Sequence, residues 1–338
     1  MSLPWPEHIL RERVFSVSTS DFEAVCLNVF YFQYTHNPIY HTYCNLRQRR
    51  PDQVKTTNEI PFLPIRLFKQ HLIQTGNFEP ELMFESSGTT GAIPSRHAVK
   101  EADWYERSFL QTFRAYYGEP ENWCILALPP SYLERKQSSL VHMTEKLIQE
   151  SKHEASGFYL YDHDRLASTL RTLERAEQKT LLLGVAFALL DFSASHPFPL
   201  KHTIVMETGG MKGRQQEITK QALHEQLQQA WQLDAIHSEY GMTELMSQAY
   251  SSGQGIFRAP DQLRMLIRAE DDPTSITDAT KLNVDSIRGG INLIDLHNLY
   301  SCSFIETEDY GTLFSNGKFR IEGRIDNSDL RGCGLMIT

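Results

Sequence analysis

Four apolar runs, WCILALPP (123–130), KTLLLGVAFALL (179–190), HTIVMETGG (202–210) and GINLIDL (290–296), alternate with polar stretches of helical period. Apolar runs alternating with polar helical windows read as strands alternating with helices. The window EITKQALHEQLQQAWQ (217–232) is an amphipathic helix after a strand and a Gly-rich turn, which makes one βα unit. The expectation is an α/β core beginning near residue 81. Ahead of it, residues 1–80 carry aromatic-rich helical spacing, as in SDFEAVCLNVFYFQYTH and PIRLFKQHLIQ, and prolines at 38, 51, 61 and 64 cut that pattern into short helices. The stretch 269–286, AEDDPTSITDATKLNVDS, reads as an irregular loop.

Composition excludes several function classes. The chain has 338 residues and 41% hydrophobic content, enough for a sizeable core. Its 33 Lys plus Arg against 42 Asp plus Glu give a net charge of -9, and the longest basic run is RQRR at 47–50, which argues against nucleic acid as a partner. No stretch approaches the length of an apolar membrane span. The start, MSLPWPEHILRERV, puts prolines and charges where a secretion signal would carry an apolar block. Five scattered cysteines (Cys26, Cys44, Cys124, Cys302, Cys333) form no C-x-x-C pair and read as free thiols. A cytoplasmic protein is expected.

The chemistry is concentrated in glycine-punctuated segments. FESSGTTGAIPSRH (84–97) sets four hydroxyls and two glycines in a row, Ser86, Ser87, Gly88, Thr89, Thr90 and Gly91, so that backbone N–H groups can converge on one anion. A phosphate is the natural guest, and a plain surface turn is the alternative. Three further segments place polar groups after apolar strands: ETGGMKGR (207–214), HSEYGMTELMS (237–247) and IETEDYGT (305–312), the last followed by EGRIDNSDLRGCG (322–334). Strand ends of an open α/β sheet converge on its ligand crevice, so the set points to one nucleotide site. The Gly-x-x-x-x-Gly-Lys-Ser/Thr spacing of a Walker loop is absent.

SSGTTG, YGMTE, TEDYG and GRID occur here in the order and rough spacing of the adenylate-forming enzymes. With PFLPIRLFKQH, GGMKGR and the short C-terminus, the chain most resembles the acyl-protein synthetases of bacterial luminescence operons (LuxE-type), which are related to phenylacetate-CoA ligases. The resemblance runs patchily from 55 to 334. It implies an α/β adenylate-forming large-domain fold with a helical N-terminal portion (1–80), an adenylation core (81–326), a short tail (327–338) and no C-terminal small domain. It implies ATP and Mg²⁺ as cofactors. Ser86 to Gly91 would cradle the phosphates, with Gly209 and Gly210 letting the backbone approach the nucleotide. Tyr240 would stack on adenine, Thr243 contact the α-phosphate and Glu244 hold Mg²⁺. Asp309 would hold the ribose hydroxyls, with Arg324 of GRID beside the nucleotide.

Two departures matter. Ala92-Ile93-Pro94 stands where relatives have Pro-Lys, so Lys212 or Arg96 would have to supply the missing charge. Only twelve residues follow the hinge acid, Asp326, and Cys333 in LRGCGLMIT takes the place of the acyl-accepting cysteine of the acyl-protein synthetases. The expected activity is activation of a carboxylic, fatty acid and its transfer through Cys333 to an acyl-accepting partner protein such as a reductase, acyltransferase or carrier protein. A ligase that uses an external CoA or carrier thiol, and a non-catalytic nucleotide- or acyl-binding subunit, are the alternatives.

Overall fold

The computed structural model describes residues 4–86, 93–128, 137–160, 162–209 and 218–325. The chain divides into two compact units, Pro80–Phe257, and Met1–Glu79 together with the chain from Arg258 onward.

In the first unit, six strands stand in the order Gly157–Phe158, Cys124–Leu128, Thr180–Val185, Thr203–Thr208, His237–Tyr240 and Ala249–Ser251. The first five are mutually parallel, and the last closes the sheet antiparallel. Every residue of Cys124–Leu128 and of Thr180–Val185 is buried, which is why these strands read as unbroken apolar runs. Their helices start on side-chain caps: Ser138 accepts from the N–H of Val141, Asp162 from that of Arg165, and Thr219 from that of Ala222. The helix Lys220–Trp231 ends on Trp231, which is fully buried in a core with Leu166, Leu170, Leu182 and Phe192.

KTLLLGVAFALL is not one strand. Only Thr180–Val185 is extended, and Ala186–Ser195 is a helix. The helix opens on five apolar residues, Ala186 to Leu190, which continue the strand's apolar run with no period to separate the two. The reversal needs Gly184, where a Cβ would stand 2.9 Å from the Leu189 side chain and 3.1 Å from Leu128 Cβ.

The second unit is built on an antiparallel sheet in the order Phe319–Arg324, Phe304–Phe314, Ser286–Asp295, Leu263–Arg268 and Ile276–Asp278, with Leu63–Pro64 parallel to Phe304–Phe314. GINLIDL therefore lies in an antiparallel strand, and the 269–286 stretch contributes the short strand Ile276–Asp278. The helices Glu7–Arg13, Phe22–His36 and Pro38–Leu46 belong to this unit. Buried amides hold the N-terminal helices there. Gln33 donates to the carbonyls of Asn298 and Leu299 (2.9 and 3.1 Å) and accepts from the N–H of Ser303, while Asn37 caps its helix and donates to the Ser301 carbonyl at 3.0 Å. Phe304 is packed among the rings of Phe30, Tyr40 and Phe62.

Candidate active site

In the unit Pro80–Phe257, the hydroxyl-rich loop is carried by a β-hairpin, Leu82–Glu85 against Arg96–Val99. Ser86 closes its base twice: its N–H donates to the Ser95 carbonyl at 3.0 Å, and its Oγ accepts from the Ser95 N–H at 2.9 Å. Arg96 is exposed on the hairpin, in register with Glu85. The next residue, His97, is fully buried, and its Nδ1 lies 2.7 Å from the carbonyl oxygen of Thr243. A carbonyl only accepts, so Nδ1 carries the proton. This bond joins the hairpin under SSGTTG to the YGMTE segment.

YGMTE follows the strand His237–Tyr240 as a turn in which the Leu245 N–H donates to the Met242 carbonyl at 3.0 Å. Tyr240 is half-buried beside Phe257, with ring centroids 5.9 Å apart. Thr243 is half-buried and Glu244 buried. Gly209 ends the strand Thr203–Thr208 with φ 74°, a conformation that favours glycine. Adjacent parallel strands thus deliver Gly209 and the YGMTE turn side by side.

Two carboxylates that the motifs do not name flank these strand ends on opposite faces. Glu239 is buried and accepts from Thr208 Oγ1, and a Cβ on Gly241 would stand 2.5 Å from its Oε1. Burial pushes its carboxyl up to about 7, despite the Thr208 bond. Glu207 behaves oppositely. Burial would raise it, yet the His224 imidazole, its Nε2 3.5 Å from Glu207 Oε1, and the charge of Lys220, 2.7 Å away, hold it below the ordinary carboxylate value. An acid inside a short strand is the only sequence signal for either.

In the other unit, Asp309 and Arg324 are register partners on adjacent strands, with Arg324 Nε 3.7 Å from Asp309 Oδ1. IETEDYGT is not a strand end as the sequence suggested: it lies inside Phe304–Phe314, where an irregular register re-aims its polar residues. Ser87, Gly88, Thr89, Thr90, Gly91, Gly210, Lys212, Asp326 and Cys333 lie outside the described residues.

Mg²⁺ takes one or two carboxylates and fills its remaining positions with phosphate oxygens and water, and the YGMTE turn holds one buried carboxylate, Glu244, that could serve as such a ligand. Among the described residues no group of three or more His, Cys, Asp or Glu is placed to hold a metal ion. No helix among them is long and apolar enough to cross a membrane.

No family model matches this chain, and no curated protein does. Solved structures do. ATP-bound MatB from Rhodopseudomonas palustris matches at 16% identity and TM-score 0.51, over 73% of this chain and 49% of its own. A long-chain-fatty-acid-CoA ligase from Archaeoglobus fulgidus matches at 15% identity and TM-score 0.49, over 75% and 53%. O-succinylbenzoate Coenzyme A synthetase from Bacillus subtilis, in complex with ATP and magnesium, matches at 14% identity and TM-score 0.47, over 72% and 49%. The chain spans about half the length of these structures. Its fold is the mixed α/β fold of adenylate-forming enzymes.

Proposed function

We propose that this protein activates a carboxylic acid with ATP, forming an acyl-adenylate and pyrophosphate, and passes the acyl group to Cys333 for delivery to a partner protein. The observation that carries the reading is the His97–Thr243 bond, which ties the hairpin bearing the phosphate-cradle sequence to the turn bearing Tyr240, Thr243 and Glu244. Phosphate donors, an adenine-stacking ring and a magnesium carboxylate belong to one reaction, and this bond holds their carriers in one unit.

In this mechanism the carboxylate oxygen attacks the α-phosphorus, the bond to the β-phosphate breaks, and pyrophosphate leaves. Charge moves onto the leaving oxygens, where N–H and hydroxyl donors of Ser86 to Gly91 stabilise it. Thr243 contacts the α-phosphate, Tyr240 stacks on adenine, Asp309 accepts from the ribose hydroxyls, and Glu244 would hold Mg²⁺, which would supply positive charge to offset the phosphates. Lys212 or Arg96 supplies the remaining positive charge. The Cys333 thiolate then attacks the acyl carbon, forming a thioester as AMP leaves with the bonding pair. The acid is a fatty acid, and the protein works in the cytoplasm.

Acid-dependent ATP–pyrophosphate exchange, run with Mg²⁺ over acids from aryl to long-chain, tests the reading. Glu244→Gln should lower exchange sharply at unchanged circular dichroism. Absence of exchange with every acid would leave a nucleotide- or acyl-binding subunit as the better reading.

A further inference from the structure

Arg268 is a buried guanidinium whose hydrogen bonds, among the described residues, reach no carboxylate. It ends the strand Leu263–Arg268 at 8% exposure, donating through Nη1 to Asn292 Oδ1 and through Nη2 to the Thr307 carbonyl at 3.2 Å. Burying a charge is costly, and buried charges are ordinarily paired with an opposite one. What this charge holds explains its presence.

The strands Ser286–Asp295 and Phe304–Phe314 lose register beside it. Gly290 pairs with Tyr310 and Asn292 with Glu306, so Ile291 alone faces three residues, Thr307, Glu308 and Asp309. Such a bulge frees main-chain groups from the ladder and re-aims side chains. Here side chains take up the freed groups. Thr307 Oγ1 donates to the Ile291 carbonyl at 2.8 Å and accepts from the Asp309 N–H at 3.1 Å, while Arg268 takes the Thr307 carbonyl. Gly290 makes room. A Cβ there would stand 2.6 Å from Arg268 Nη2 and 2.8 Å from its Cζ. The last residue of the bulge is Asp309, which emerges opposite Arg324.

We propose that Arg268 is a positioning residue for nucleotide recognition: its guanidinium locks the bulge and so sets where the Asp309 carboxylate meets the ribose hydroxyls. The inference rests on the ribose role of Asp309 in the proposed function. The planar fork matters, because two acceptors on different strands are gripped at once, which a lysine ammonium on its flexible stem does not reproduce.

The test compares binding of ATP and 2′,3′-dideoxy-ATP by titration calorimetry. Wild type should prefer ATP by about tenfold or more, the worth of a hydrogen bond to a charged group. Asp309→Ala should bring the ratio near one, and Arg268→Met should do the same while leaving affinity for the dideoxy nucleotide unchanged. Arg268→Lys should recover only part of the preference. In Arg268→Met, amide hydrogen exchange should rise in the peptide covering 305–311 and not in the parallel-sheet strands. Should Arg268→Met not fold, Thr307→Val opens the same bulge from its other side at equal volume, and the same loss of preference is expected. A preference retained in Arg268→Met or in Thr307→Val, or unchanged exchange at 305–311, overturns the proposal. Equal affinity for the two nucleotides in wild type overturns the ribose role of Asp309 itself and the proposal with it, and is recognised because the variants then have no preference to lose.

Discussion

The His97 ring donates through Nδ1 to the carbonyl oxygen of Thr243 at 2.7 Å, across 146 positions of sequence. The donor belongs to a hairpin strand and the acceptor to a turn after a parallel strand, so the bond spans two separately built elements. It fixes the main chain at the residue whose side chain is assigned to the α-phosphate. In the proposed function this makes His97 a positioning group, although an isolated histidine beside an apolar strand gives no such hint.

His97→Ala should remove the donor and leave the Thr243 carbonyl unsatisfied, costing about 1–3 kcal/mol of stability. Thermal unfolding should shift down by several degrees. Acid-dependent pyrophosphate exchange should fall at saturating ATP even where the protein is fully folded. An exchange rate that follows only the folded fraction would reduce His97 to a core residue.

The parallel strands were legible because burial on both faces leaves a continuous apolar signal, and Lys220–Trp231 because one polar face leaves a period. Ala186–Ser195 was not, since its first five residues are all apolar and continue the strand's run without a break. The Thr307–Asp309 bulge was hidden for another reason: it arises from the pairing of strands with Arg268 and Gly290 some twenty to forty residues away, which local pattern does not encode. The motifs named Tyr240, Thr243 and Glu244, whereas Glu239 and Glu207 acquire their character from Thr208, Lys220 and His224, residues that only the fold brings near.

Stability should depend on pH through Glu239. Its carboxyl, ordinarily at 4.5, is pushed by burial to about 7, so the folded state holds a proton that the unfolded chain has released. This contribution is complete below about 4.5, is lost as pH rises toward 7, and stays lost above it. The window is worth about 3 kcal/mol. Thr208 and Glu207 with Lys220 act on the group, and the phenols of Tyr117 and Tyr250 face it, both pushed above their ordinary value by burial and so neutral throughout. Glu239→Gln keeps an acceptor for Thr208 and has nothing to titrate. Denaturant midpoints measured from pH 5 to 8 should fall more steeply in wild type than in this variant. His237, whose imidazole burial lowers, runs the opposite way in both proteins and cancels in the difference. Parallel pH curves would remove Glu239 as the titrating group.

The charge that offsets the leaving pyrophosphate should reside on Lys212 or Arg96. One such contact in a dry site is worth about 2.7–4 kcal/mol at the transition state, so removing it should slow exchange by about a hundredfold to a thousandfold. Lys212→Met and Arg96→Met are compared singly. Arg96 is exposed on its hairpin, so its loss should leave thermal unfolding unchanged and any effect on exchange is chemical. Near-wild-type rates in both variants would place the cation elsewhere.

Acyl transfer to Cys333 separates an acyl-protein synthetase from a ligase that uses an external thiol. Incubation with ATP and labelled acid should leave a covalent label that neutral hydroxylamine removes, since a thioester yields to it and an amide does not. Cys333→Ser should abolish the label while pyrophosphate exchange continues, because the thiol acts only after the adenylate has formed. The thiolate is the nucleophile, so labelling should rise with pH until the thiol is ionised. Cys26, Cys44, Cys124 and Cys302 are all buried, and burial pushes each thiol above its ordinary value of 9.0, so none of them competes as a thiolate near neutrality. Label that persists in Cys333→Ser and maps to one of those four would move the acceptor. No label on the chain, with turnover only when CoA or a carrier thiol is added, would assign the second step to an external acceptor and leave adenylation intact.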